Sequence, residues 1–199
     1  MALATAALTT NCSTDNGPAE PLATSGQATT SIGSQPSRPT LTASKLQPPP
    51  QDNKYTASTG RPKIVFDPCT WISDATIQKS GFDPVSRKRG DDLIAEYSFL
   101  TCDFSSRERN LMLNSGNATW AEDLAKVGTF SEPTTVNGRE ALLVRDPDLH
   151  RACQVDVRTK VGFVQISTFL TDLAPRSTAP CDGMLEIVTA IEPEIGKDN

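Results

Sequence analysis

The sequence predicts an α+β domain: an antiparallel sheet with helices packed on one face, stapled by two disulfides. Three observations predict it. Beyond residue 63, segments of helical and strand spacing follow one another as helix, strands, helix, strands, helix. Asn137-Gly138 joins two strand-like runs, a two-residue hairpin signal. Four cysteines, Cys69, Cys102, Cys153 and Cys181, are spread over the same stretch. With no C-x2-C and a single histidine, His150, they fit two disulfides and an oxidising compartment rather than a metal site. A small barrel closed by the terminal helices is the competing architecture.

Composition sets the limits of that domain. Of 199 residues, 37% are apolar and 6% aromatic, and the shortfall is local. Residues 13–63 are dominated by Ser, Thr, Pro, Gly, Gln and Ala and include Pro48-Pro49-Pro50. Such a segment buries too little apolar surface to offset its ordering entropy, which predicts a disordered linker over 13–63. A flexible coil of about 50 residues reaches roughly 40 Å. The folded domain is expected over 64–199. Five of the 19 basic and three of the 24 acidic residues fall in 13–63, leaving 14 basic against 21 acidic elsewhere. An acidic body excludes a nucleic-acid backbone as partner.

Residues 1–12 look like the end of a bacterial lipoprotein signal peptide. Small apolar residues run to Thr10, and Asn11-Cys12-Ser13 follows, with Cys12 as the lipidation site. Asn11 departs from the small residue that such signals carry there. No stretch of about 20 apolar residues exists, so membrane attachment would rest on acyl chains at Cys12.

Within the domain, Asp67-Pro68 starts a helical turn, since Asp caps well and Pro suits the first helical position. Ser73 is a second cap, Asp74 favours a first turn, and Gly81 ends it. A short broken helix over 68–80 follows, burying Trp71, Ile72 and Ile77. Arg87-Lys88-Arg89, before Gly90-Asp91-Asp92, reads as a solvated hairpin turn. Residues 92–104 form a strand whose apolar parity switches after Phe99, which points to a bulge or to a strand covered on both faces. Residues 108–114 pair back on it. Residues 118–127 have helical spacing through Trp120, Leu124 and Val127, ending at Gly128. Ser131–Val136 and Arg139–Arg145 flank the hairpin turn. Cys153, Val155 and Val157 alternate with Gln154, Asp156 and Arg158, a half-buried strand. Phe163–Leu170 is the next strand. A last helix over 181–192 carries Cys181, Met184, Leu185, Val188 and Ile191 as its buried stripe, with Pro193 stopping it.

Two cysteine pairings compete closely. One joins helix to helix, Cys69–Cys181, and strand to strand, Cys102–Cys153; the slight preference goes to this one. The other is Cys69–Cys102 with Cys153–Cys181. All four are expected to staple the fold, because redox chemistry needs a close, low-pKa pair.

These features together resemble the DUF3558 group of actinobacterial lipoproteins. The resemblance rests on the leader, the Ser/Thr/Pro linker, Asp67-Pro68-Cys69 with Ser73, the strand cysteine Cys102, Asn137-Gly138-Arg139-Glu140-Ala141, Cys153-Gln154-Val155-Asp156-Val157, and Cys181. It covers roughly 67–192. It implies a cell-envelope protein, lipid-anchored on the outer face of the membrane or secreted, without an established activity.

Chemistry-bearing motifs are absent: there is no G-x-S-x-G, H-E-x-x-H, phosphate loop or G-x-G-x-x-G. His150 follows a turn-like run, Asp146-Pro147-Asp148-Leu149, and reads as a solvated loop residue. Asp91, Asp92, Glu122, Asp123, Asp146, Asp148 and Asp156 read as surface carboxylates. The expectation is therefore a binding module for an envelope protein, glycan or lipid, with no catalytic residue, cofactor or metal. A sensor-like extracellular domain, or an enzyme using a carboxylate pair or His150, is the alternative.

Overall fold

The computed structural model describes residues 41–197 and Asn199. Among these, eight strands form one antiparallel sheet: β1 (Asp83–Arg89), β2 (Leu93–Ile94), β3 (Ser98–Ser105), β4 (Arg109–Gly116), β5 (Ser131–Val136), β6 (Arg139–Val144), β7 (Ala152–Arg158) and β8 (Phe163–Leu170). Their order is β1-β3-β4-β8-β7-β6-β5, with β2 paired to β3. Two meanders, β1 to β4 and β5 to β8, thus join along β4 and β8, in register from Arg109↔Leu170 to Gly116↔Phe163. β1 and β5 lie at opposite edges, so the sheet is open and the barrel alternative falls.

The helices begin where the sequence marks them. Asp67 caps α2 (Pro68–Trp71) by accepting the Cys69 N–H at 3.1 Å, and Ser73 caps α3 (Asp74–Lys79) through the Thr76 N–H. Two caps in succession are what break the predicted helix. A reciprocal Thr119–Glu122 capping box starts α4 (Trp120–Val127). The last helix, α5 (Met184–Ile195), starts later than the apolar stripe suggested and continues through Pro193. Proline lacks the N–H that would bond the Thr189 carbonyl. Asn137 Nδ2 donates to that carbonyl instead, at 3.1 Å. The hairpin turn aims it there, with Asn137 and Gly138 at φ 51° and 84°, the primed-turn geometry their types favour.

One sheet face packs on α2, α3 and α5. Phe66, Ile72, Ile77, Met184, Val188 and Ile191 meet Phe104, Leu111, Leu113, Val155, Val164 and Ile166 in the main core. Among the described residues, the opposite face carries α4 alone: Trp120 and Val127 pack on Leu142, Val144 and Phe163 in a smaller cluster. The parity switch in 92–104 is a break between β2 and β3, not a continuous strand.

Residues 41–63, assigned by composition to the linker, pack on the domain. Leu46 is 6% exposed within the main core, and the Leu41 N–H donates to the Thr70 carbonyl at 2.9 Å. α1 (Lys54–Thr59) is capped at both ends, by the Asn53–Thr56 box and by Gly60 at φ 64°. Gln51 exchanges two hydrogen bonds with the Ile64 backbone, at 2.8 and 3.0 Å. Arg61 makes a two-pronged pair with Glu122 of α4 at 2.7 and 2.9 Å. Composition measures how much a segment can bury by itself; this one is ordered by a surface already formed. Residues 13–40 of the expected linker, and the leader over 1–12 with Cys12, lie outside the described residues.

Arg87 and Arg89 are not in a solvated turn. They lie in β1, whose two-residue period turns both toward the helices and leaves Lys88 exposed. Arg87 donates to the carbonyls of Cys69 and Ile72, closing the end of α2, and pairs with Asp74 at 2.7 Å. Arg89 grips both oxygens of Asp67 at 2.6 and 2.8 Å, Asp92 at 3.2 Å, and the Leu46 carbonyl.

The disulfides are Cys69–Cys102 and Cys153–Cys181. Each joins the start of a helical segment to a strand in its own half of the chain. The preferred pairing, helix to helix (Cys69–Cys181) and strand to strand (Cys102–Cys153), is overturned because α2 lies over β3 while the chain entering α5 lies over β7, on different parts of the face.

Candidate functional site

Among the described residues, α4 covers one end of its face and no other helix lies on it. Strand register sets out that bare surface row by row. Leu142, Asp156, Gln165, Asn114 and Thr101 form one row, and Val144, Gln154, Ser167, Met112 and Asp103 the next. Asn114 Nδ2 donates to Gln165 Oε1 at 2.7 Å, fixing two amides side by side. Four cavities open here. One of about 370 Å³ is lined by Phe99, Thr101, Asp103, Asn114 and Gln165; its neighbour of about 360 Å³ uses Lys88, Asn110, Met112 and Phe169. A smaller one, about 120 Å³, lies between Met112, Gln154, Leu149 and Phe169. The fourth, about 280 Å³, sits between α4 and the sheet, walled by Tyr97, Phe99, Ala118, Phe163, Asp123 and Lys126.

Beside this fourth cavity lies the feature that sequence reasoning missed. Asp123 on α4 is 4% exposed and Asp156 on β7 is 0% exposed, so neither is the surface carboxylate expected. Gln154 Nε2 donates to both Asp156 oxygens at 2.7 and 2.9 Å. Asp123 Oδ2 is buried, and among the described residues no N–H or hydroxyl donates to it. The two carboxyls hydrogen-bond each other, which requires a proton between them. Burial pushes the Asp123 carboxyl up to about 6 and the Asp156 carboxyl well above its ordinary value, the second also by the charge of the first. Two adjacent buried carboxyls cannot both ionise cheaply, so the pair retains one proton.

The contrast with the other buried acids is sharp. Asp67 has Arg89, and Glu192 has Arg139 at 2.7 Å with Asn137 at 3.0 Å. Asp123 and Asp156 have an amide and one another. A signal for Asp123 was present: with Trp120 and Val127 it falls on the stripe of helix spacing that α4 buries. Asp156 offered none, because it lies opposite Val155 and Val157, and only the placement of α4 covers that side.

The remaining predicted positions are dispersed. His150 is exposed in the β6–β7 connection, and its ring has no hydrogen-bond or ion-pair partner among the described residues. Asp91 and Asp148 are exposed, whereas Asp92 belongs to the Arg89 network. The hydrogen bonds of Arg61, then those of Thr119, hold the Glu122 carboxyl down to about 2. Burial raises the Asp103 carboxyl on the bare face. Among the described residues, no group of three or more His, Cys, Asp or Glu is placed to hold a metal, and no helix is long and apolar enough to cross a membrane.

The fold and site define a disulfide-braced α+β domain with one half-covered sheet face and a proton-sharing carboxyl pair at its edge. A family model described as "Protein of unknown function (DUF3558)" matches residues 7–194, nearly the whole chain. The protein belongs to that family. No curated protein and no solved structure matches it.

Proposed function

We propose that this protein is an actinobacterial-type envelope lipoprotein, a binding module tethered to the outer face of the membrane by acyl chains on Cys12. Its bare sheet face would take a segment of an envelope protein. The observation that carries the reading is the face itself, on which no helix of the described residues covers β3, β4 and β8 and which holds adjoining cavities. At about 120–370 Å³ they suit single side chains, whereas a pocket for a whole lipid is larger. The excess of acid over base in the body favours a basic partner. Disulfides in both halves suit an oxidising compartment. An enzyme built on His150 is the weaker reading, because no described residue orients that ring.

Two measurements test this. Intact mass after expression in an actinobacterial host should show cleavage before Cys12 and added acyl mass; an unmodified cytosolic chain refutes the anchor. A photocrosslinking residue at Met112 or Gln165 should give a discrete adduct in the envelope, and one at Leu185, on α5, should not. Equal labelling from both sides refutes the face.

A further inference from the structure

We propose that Asn114 and Gln165 clamp the backbone of an extended partner segment: Asn114 Oδ1 accepts the N–H and Gln165 Nε2 donates to the C=O of one residue, while successive side chains drop into the cavities on either side. The inference deepens the binding-face reading and rests on it. The two side chains stand opposite each other on the β4–β8 seam. Asn114 Nδ2 donates to Gln165 Oε1 at 2.7 Å. That bond leaves Asn114 Oδ1 as an acceptor and Gln165 Nε2 as a donor, neither with a partner among the described residues. Both side chains are half-buried, so their free groups open onto the face. Elsewhere in the same row the polar groups are in use. The Thr101 hydroxyl donates to the Asp91 carbonyl at 3.3 Å, and Asp156 is held by Gln154 and Asp123. A fixed acceptor beside a fixed donor is complementary in partial charge to the N–H and C=O of one extended residue, which point the same way and pair together.

The cavities fit the same guest. The one of about 120 Å³ lies on the β7 side of the seam and the one of about 370 Å³ on the β3 side; Met112 and Gln165 line both. Each has an exposed leucine in its wall, Leu149 at 46% and Leu93 at 48% exposure. An extended segment standing on its edge turns one residue's polar groups down and sends successive side chains to opposite sides. The smaller cavity, where Met112, Val144, Leu149 and Phe169 meet, takes an aliphatic side chain. The larger, where Leu93 and Phe99 adjoin Asp103 and Lys126, takes a longer amphipathic one. Main-chain hydrogen bonds supply affinity in such a complex, and the flanking cavities select sequence.

The test is an NMR titration of the full chain with acetyl-Leu-Lys-Leu-Lys-N-methylamide, which alternates aliphatic and amphipathic side chains in any register. Its depsipeptide counterpart has ester oxygens in place of the backbone N–H groups and keeps the side chains and charge. The peptide should give saturable shifts at Met112 and at the side-chain NH2 signals of Asn114 and Gln165. The depsipeptide should bind about tenfold more weakly, the loss expected for one hydrogen bond. Gln165→Glu keeps an acceptor for Asn114 Nδ2 but turns the outward donor into an acceptor. It should keep the parent's spectral dispersion yet weaken binding by about tenfold or more, although it adds a negative charge to meet a basic peptide. No saturable shift, equal binding of the depsipeptide, or equal or tighter binding by Gln165→Glu overturns the inference. So does methyl glucoside giving those shifts in the peptide's place. If the peptide fails while the crosslink from Met112 persists, the clamp falls and the binding face stands. If the peptide binds as expected but no crosslink forms in the envelope, the clamp stands and the envelope-protein reading falls.

Discussion

Replacing Arg89 with methionine keeps the apolar stem and deletes the guanidinium. The change strips Asp67 of contacts at 2.6 and 2.8 Å, Asp92 of one at 3.2 Å, and the Leu46 carbonyl of its donor. Removing one member of a buried ion pair costs about 3–5 kcal/mol, because the other charge stays behind. Here the stranded acids retain partners. Asp67 still accepts from the Cys69 N–H and the Thr70 hydroxyl, and Asp92 from the Thr101 N–H at 2.7 Å. The expected loss is therefore at the low end, about 3 kcal/mol. Urea unfolding of the oxidised protein at pH 7 measures it, with an unchanged slope. Adding Asp67→Asn to the variant should recover about 1 kcal/mol or more, since the charge left behind is gone. Residues 41–53 should also become cleavable, as Leu46 loses its clamp. A single-variant cost below about 1 kcal/mol, or strict additivity of the two changes, would refute the reasoning.

Three further outcomes are expected. Because burial holds both carboxyls of the Asp123–Asp156 pair above the unfolded value, the native state binds more protons from about pH 4 up through about 6, where Asp123 titrates, and Asp156 extends the window upward. Stability from the pair is thus full below that window and falls by about 1–2 kcal/mol as pH rises through it. Asp123→Asn should flatten that slope in urea midpoints taken from pH 4 to 8. Glu122 works in the opposite sense, its contribution lost only as pH falls toward about 2. Non-reducing peptide mapping should recover Cys69 with Cys102 and Cys153 with Cys181. Removing the second bridge, which spans 28 residues, should cost about 3.5 kcal/mol on chain-entropy grounds. Gly162→Ala should cost about 2 kcal/mol or more, since its Cβ would stand 2.3 Å from the Ala118 carbonyl oxygen and 2.6 Å from that of Gly116. A thermal midpoint within a degree or two of the parent would contradict that packing.

Local chemistry was legible in the sequence wherever a residue acts on its own neighbourhood. Asp67, Ser73, Asn137-Gly138 and the 108–114 return strand are all where their types place them. What was illegible depends on which distant surface a side chain meets. Arg87 and Arg89 look like turn residues until α2 and Asp67 are seen to lie above β1. Residues 41–63 look unfoldable until Leu46, Gln51 and Arg61 are given their partners. The carboxyl pair needs β7 and α4 to be brought together, and spacing along either element carries no information about the other. The disulfide choice had the same origin: both pairings satisfy helix and strand placement, and only the order of strands separates them.

That order has a consequence for how the chain is made. Of the four cysteines in the folded domain, each bridge links neighbours in sequence, Cys69 with Cys102 and Cys153 with Cys181, so the two covalent rings are neither nested nor interlocked. Emerging N-terminus first, the polypeptide can seal its earlier ring before the later thiols appear, and the correct partner is always the one just upstream. A single backbone cut between β4 and β5, over residues 117–130, would then leave two separately looped pieces held by the β4–β8 seam and the shared interior.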